Sequence, residues 1–164
     1  MLTNRILTFD DLIKDDTNSN SYACMPSSYA GFNWQNGAFM PRQCALRSFA
    51  QTGFGTAFRQ NRQCVIFNFG SRSIKMGHRH NRFHVLSFEA TCAFQDEVNL
   101  TVVGRSEETI NHTAKFILRW QEVNTFHLNW NNIDELEFQP AGGKQIPSST
   151  DTDRHVVLTC LKFA

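Results

Sequence analysis

Excess charge of either sign is missing from this chain: 16 Lys and Arg stand against 15 Asp and Glu, a formal net charge of +1. General nucleic-acid binders and binders of anionic membranes rely on many Lys and Arg contacts to phosphate. The composition argues against both. No apolar run approaches the roughly 20 residues that span a bilayer as a helix, so no membrane span is expected. Residues 1–12 lack the basic-then-apolar layout of a secretion signal. The chain is therefore either made in the cytosol or begins after a removed signal. No two of the five cysteines have the two-residue gap of a zinc or redox motif. A Gly-x-Ser-x-Gly elbow, a His-Glu-x-x-His helix and a phosphate-binding glycine loop are all absent.

What is abundant is phenylalanine: 15 Phe against two Tyr and three Trp. Phe suits a pleated, half-buried surface and leans the chain towards β structure. With 164 residues the chain fits one domain, residues 1–164. A domain of that size buries about 70% of its unfolded surface and needs no staples.

The stretch from Pro26 to Met40 places Tyr29, Phe32, Trp34 and Phe39 between the turn formers Pro26, Gly31, Asn36 and Gly37. Turn residues that close together predict a loop folded back on itself. Ahead of it, Arg5 to Leu12 reads as a strand ending in Asp10 and Asp11, and Lys14 to Ser21 as a polar loop. Gln43 to Phe58, with Gly53 and Gly55, has no clear period.

Beyond residue 63, apolar and polar residues alternate. Gln63–Phe69 is an apolar β run ended by Gly70. Phe83–Cys92 offers Leu86, Phe88 and Ala90 to one face, and Glu97–Val103 offers Val98, Leu100 and Val102. Lys115–Trp120 offers Phe116, Leu118 and Trp120. Thr125–Trp130 offers Phe126, Leu128 and Trp130. Glu135–Phe138 sets Leu136 and Phe138 inward, with Glu135 and Glu137 outward, and His155–Phe163 closes the chain. Period two means one buried and one wet face. About eight short strands with no helical period between them predict an antiparallel two-sheet β-sandwich.

The words Thr8-Phe9-Asp10-Asp11-Leu12, Pro26-Ser-Ser-Tyr29-Ala-Gly31-Phe32-Asn33-Trp34, Asn99-Leu-Thr-Val-Val-Gly104 and Phe126-His-Leu-Asn-Trp130-Asn-Asn-Ile133-Asp134 occur in that order. Leu136, Phe138 and a terminal Val-Val-Leu-Thr-Cys-Leu-Lys-Phe strand follow. This order resembles a broad group of secreted, mostly uncharacterised jelly-roll sandwiches of fungi and bacteria, similar to galactose-binding-like domains and carbohydrate-binding modules. The resemblance implies an all-β jelly roll, export, and glycan binding without catalysis. Related modules often hold a structural calcium between an acidic residue of the first strand and an Asp of the last. Asp10 and Asp11 are the candidates here, but Thr159 or Cys160 stands at the last-strand position, and neither suits a hard cation.

Tyr29 and Trp34 are candidate stacking faces for a sugar ring, with Asn33, Gln35 and Asn36 beside them to hydrogen-bond hydroxyls. The competing reading is that these aromatics plug the end of the sandwich, because an exposed loop this aromatic would leave a sizeable apolar patch. His78, His80 and His84 alternate with Arg79 and Arg82. Two cations between them oppose a bound metal, so an exposed hairpin tip is expected, with Arg79 and His80 as polar ligand contacts. The carboxylate pairs Asp10–Asp11, Asp96–Glu97 and Glu107–Glu108 read as solvated, since adjacent strand residues face opposite ways. Glu89 and Glu137 sit in strands, and nothing selects them as a hydrolytic pair. Cys64, Cys92 and Cys160 read as buried thiols. Cys24 and Cys44 flank the aromatic stretch and would close it in an oxidising compartment, worth about 3 kcal/mol in a chain-entropy account. Asn99 and Asn111 match the N-glycosylation pattern, and Asn111, read as lying in a polar turn, is the better acceptor.

The leading expectation is a non-catalytic module binding a glycan or polysaccharide. A structural or adhesive domain working by protein contacts and a small glycan-active hydrolase are the alternatives.

Overall fold

A computed structural model describes residues 4–13 and 21–164. The polar loop expected over residues 14–20 lies outside them. The first strand, β1, is only Arg5–Leu7, and Asp10–Leu12 forms a single 3-10 turn instead of continuing it. The break is at Phe9, whose φ is 66° and whose ring is wholly buried. Next come β2 (Ala23–Cys24), β3 (Ser28–Tyr29), β4 (Phe32–Gln35) and β5 (Gly37–Pro41). Two short helices follow, α1 (Arg42–Ser48) and α2 (Gly53–Ala57). The remaining strands are β6 (Cys64–Asn68), β7 (Ile74–Gly77), β8 (Phe83–Cys92), β9 (Gln95–Ser106), β10 (Thr109–Leu118), β11 (Asn124–Ile133), β12 (Glu135–Gln145) and β13 (Val156–Phe163).

The strands form two antiparallel sheets. One runs β11-β8-β13-β6-β5-β2, with β1 added on β13, and the other runs β10-β9-β12-β7-β4-β3. From β7 to β13 the chain crosses between sheets at every connection except the β9–β10 hairpin. That is a jelly-roll β-sandwich, the fold expected. Its main core lies between the sheets and includes Trp34, Ile66, Phe88, Leu100, Leu118 and Phe138.

The aromatic stretch is not a loop. Ala30 and Gly31, at φ 57° and 85°, make a two-residue turn between β3 and β4. Positive φ at both positions matches the twist of a tight hairpin. Asn36, at φ 58°, swings the chain from β4 in one sheet to β5 in the other. Strands of two to five residues fit between such turns, so the turn formers punctuate β structure here.

A second core, not anticipated, lies outside the seven-stranded sheet. Cys44, Ala45, Phe54, Ala57 and Phe58 of the helical region pack on Ala38, Met40, Val65, Phe67 and Val157 of the strands. Strands β5 and β6 are therefore buried on both faces and do not alternate. Helix α2 touches the end of β8 directly. A Cβ on Gly53 would fall 1.6 Å from the Cys92 carbonyl oxygen, so only glycine allows the approach.

In β8 the inward residues are Val85, Phe88, Ala90 and Cys92, not Leu86. The register against β13 slips between Lys162 and Phe163, so Leu86 is an extra residue and Val85 before it shares the inward face with Phe88 after it. Residues 78–82 connect β7 in one sheet to β8 in the other and are a crossover, not a hairpin tip. Asn111 lies within β10, exposed at a register break between Ile110 and His112, not in a turn. The β9–β10 turn is instead Glu107–Glu108.

All five cysteines are free thiols. Cys64, Cys92 and Cys160 are buried as expected, but Cys24 is exposed on β2 and Cys44 buried on α1, and they are not bridged. Among the described residues no helix is long and apolar enough to cross a membrane.

Candidate functional site

Among the described residues no helix covers the outer face of the six-stranded sheet. Because Phe32, Trp34, Ile74, Met76, Leu136 and Phe138 point into the core, alternation sends Asn33, Gln35, Lys75, Gly77, Glu135 and Glu137 outward. Register aligns them in rows across the strands. Asn33 pairs with Gly77, Gly77 with Glu135, Glu135 with Arg105 and Arg105 with Ile110. In the next row Gln35 pairs with Lys75, Lys75 with Glu137 and Glu137 with Val103.

A groove of about 850 Å³ runs over this face. On the β4–β7 side it is lined by Ser27, Asn33, Gln35, Lys75, His78 and Arg79. On the other side stand Arg105, Glu107, Glu108, Asp134 and Glu135. Gly77 is the floor between them, where the absence of a side chain leaves the depth; even a Cβ there would lie 3.0 Å from the Asp134 carbonyl oxygen.

Charge on the floor is held in place. Arg105 donates to Glu135 at 2.7 Å and lies 2.8 Å from Glu137. Ser73 donates to the other Glu137 oxygen at 2.5 Å. Glu137 is 5% exposed, although alternation predicted a wet position. Burial alone would raise its carboxyl, but the bonds from Ser73 and Arg105 outweigh that and hold it below the ordinary carboxylate range. Lys75 sits farther off, 4.0 Å from the same carboxylate.

The far wall is braced at a corner. The Glu107 amide donates to the Asp134 carboxylate at 2.8 Å, and Arg82 bridges Glu107 at 2.8 Å and Asn132 at 3.0 Å. The His78 amide donates to the Asp134 carbonyl at 2.8 Å, tying the two walls together. Glu107 and Glu108 both have left-handed backbone, at φ 51° and 66°. Two consecutive non-glycine residues in that region are strained.

Of the residues singled out from sequence, Trp34 and Arg79 adjoin the groove, whereas Tyr29, Asn36 and His80 do not line it. Trp34 is not an open platform: it is 5% exposed, and its indole N–H donates to the Tyr29 carbonyl at 3.0 Å. The Tyr29 ring packs on Phe9 and Trp34, and its hydroxyl donates to Asp11. Burial, then that carboxylate, pushes the phenol upward. Asn36 donates to the Ser73 carbonyl at 3.3 Å. His78 and His80 share no strand face; the His78 ring nitrogen Nδ1 accepts the Asn81 amide at 3.2 Å. His84 contacts Asn129 at 2.9 Å.

The candidate calcium ligands Asp10 and Asp11 are engaged elsewhere in this donor set. Asp10 accepts the amides of Gln63 and Cys64 at 2.8 and 3.2 Å, while Asp11 faces Tyr29. Thr159 is spent on Glu89. Among the described residues no three His, Cys, Asp or Glu side chains gather around a common point. Glu89 and Glu137 lie on different sheets, so they do not face each other across a cleft. Asp96 and Glu97 join Arg119 and Lys144 in a surface network.

Lys75, Arg105, Asp134 and Glu135 were missed as site residues. The signal for the first was present: Ser73, Lys75 and Gly77 alternate with Ile74 and Met76.

No protein family and no curated protein matches the chain in sequence. Solved structures are similar in fold. A mutant of CBM29-2, a family 29 carbohydrate-binding module studied for ligand recognition, aligns with 88% of this chain and 91% of its own at 10% identity and a TM-score of 0.46. TmCBM61, solved with β-1,4-galactotriose, aligns with 84% and 90% at 8% identity and a TM-score of 0.45. A further family 29 module aligns with 87% and 88% at 11% identity and a TM-score of 0.44. These likenesses concern the fold alone.

Proposed function

We propose that this chain is a non-catalytic carbohydrate-binding module whose ligand lies in the groove over the outer face of the six-stranded sheet. One observation carries the reading. Neutral and cationic groups able to donate line one wall, and four carboxylates with Arg105 among them line the other, around a floor without a side chain at Gly77. A sugar hydroxyl both donates and accepts, so a chain of hydroxyls satisfies both walls at once. The groove volume falls within the ordinary range of ligand sites. Arg105, Glu135 and Glu137 hold one another in position before any ligand arrives, which lowers the ordering cost of binding.

Binding of this kind rests on polar contacts, since the one Trp beside the groove is in the core. Glu137, beneath the floor, does not suit the role of a hydrolytic acid. A glycosidase needs an acid that holds its proton near neutral pH, and Glu137 is held on the ionised side by Ser73 and Arg105. Export belongs to the same proposal.

The test is a glycan array followed by calorimetry on the leading oligosaccharides, with Asn33→Ala and Gln35→Ala. Both side chains are exposed, so the variants are expected to melt with the parent protein and lose at least about tenfold in affinity, the size of a well-made hydrogen bond or two. Binding unaffected by both substitutions, no glycan bound at all, or release of reducing ends from a bound polysaccharide would each overturn the reading.

A further inference from the structure

We infer that the groove selects a glycan carrying carboxylate groups, a uronate oligomer, with its acid towards the β4–β7 wall. This rests on the carbohydrate reading above and names the ligand class within it.

The two walls differ in charge. From Ser27 through Arg79 the β4–β7 side carries only neutral and cationic groups, and the carboxylates stand on the opposite side. The cations on the β4–β7 side are also the ones left over. Arg79 is exposed and has neither an ion-pair partner nor a side-chain hydrogen bond among the described residues. Lys75 reaches only Glu137, at 4.0 Å, and that carboxylate already has Arg105 at 2.8 Å and Ser73 at 2.5 Å. Its ammonium retains donors for a ligand.

On the opposite wall the carboxylates outnumber their cations, and Arg105 is shared between Glu135 and Glu137. Glu135 is matched by Arg105, Glu107 by Arg82, and Asp134 accepts the Glu107 amide. An acidic sugar laid across Gly77 therefore meets, on one side, the unpaired Arg79 and the loosely paired Lys75. On the other it meets acceptors suited to its hydroxyl protons. Reversed, its carboxylate would face Glu108 and the paired acids, so the polarity also fixes orientation.

The experiment is calorimetric titration with galacturonate, glucuronate and mannuronate oligomers, each against its methyl ester, which keeps the sugar and removes the charge. At least one acid is expected to bind about tenfold tighter than its ester at low salt. The preference should shrink as salt is added and fall towards unity in Arg79→Gln and Lys75→Gln. Acid and ester of equal affinity, or a preference unaltered by both substitutions, would overturn the inference while leaving glycan binding in place. Binding of neutral glycans with no uronate bound would do the same. Failure of every glycan would remove the carbohydrate reading as well.

Discussion

Arg105 Nη1 lies 2.8 Å from a carboxylate oxygen of Glu137, and the two come from neighbouring strands beneath the groove floor. Removing one partner strands the other charge in a partly desolvated place. Glu137→Ala is expected to cost about 1–3 kcal/mol, below a fully buried pair because Arg105 keeps some exposure. The sign in pH follows from the depressed carboxyl. The contribution is complete above the unfolded Glu value of about 4.3 and is lost as the pH falls through the lower folded value. The difference between the parent and the variant in urea denaturation should therefore shrink as the pH is lowered from 7 towards 3.

Trp34→Ala is expected to destabilise the fold by about 3–5 kcal/mol, as for a core aromatic. The ring is closed in by Phe9 and Tyr29 at centroid distances of 6.2 and 6.3 Å. An unchanged denaturation midpoint would return Trp34 to the role of an exposed platform.

The paired left-handed glutamates give a gain of stability on removal. Replacing Glu107 by Asn and Glu108 by Gly supplies the residues such a turn favours. The double variant is expected to be more stable by about 1–2 kcal/mol, while losing ligand affinity through the missing Glu108 carboxylate. A variant less stable than the parent would show that the turn is not strained.

His155 is 5% exposed, ringed by Phe54, Phe67 and Phe94, and contacts the Asn68 carbonyl at 2.8 Å through Nδ1. Burial lowers its pKa despite that contact and the nearby Asp153 and Asp151. The native state therefore resists protonation more than the unfolded chain does. Stability is expected to be full above the unfolded His value of about 6.5 and to fall as the pH drops from there to the depressed folded value. His155→Asn should flatten that part of the melting-temperature profile.

Only one thiol is open to reagent. Cys24 is exposed, and the other four are buried. Burial pushes the Cys92 thiol up to about 12, and Cys64 and Cys160 also move upward. Maleimide at neutral pH is expected to label a single site in the native protein and five in denaturant. Rapid native labelling at two or more sites would contradict the packing.

The strands with one wet face were legible in the sequence because their side chains report two environments in turn. Val98, Leu100 and Val102 in β9, and Leu128 and Trp130 in β11, are buried as their spacing predicted. Strands β5 and β6 touch apolar matter on both sides and lose that signature. The helices over them run seven and five residues, too short to display a 3.6-residue period. Leu86 misled because a bulge shifts the phase without leaving a distinctive residue behind. The groove was half visible. Asn33, Gln35 and Arg79 lie in stretches that drew notice, but Arg105 and Glu135 are 30 positions apart and are joined only by strand register.

Strand β1 runs beside β13, so Arg5 stands opposite Phe163 at the spacing of neighbouring strands, about 4.8 Å. Strands β1 and β13 thus belong to one sheet, and the groove opens on the other. A label on an exposed residue of β1, such as Ile6, would therefore lie across the sandwich from the groove.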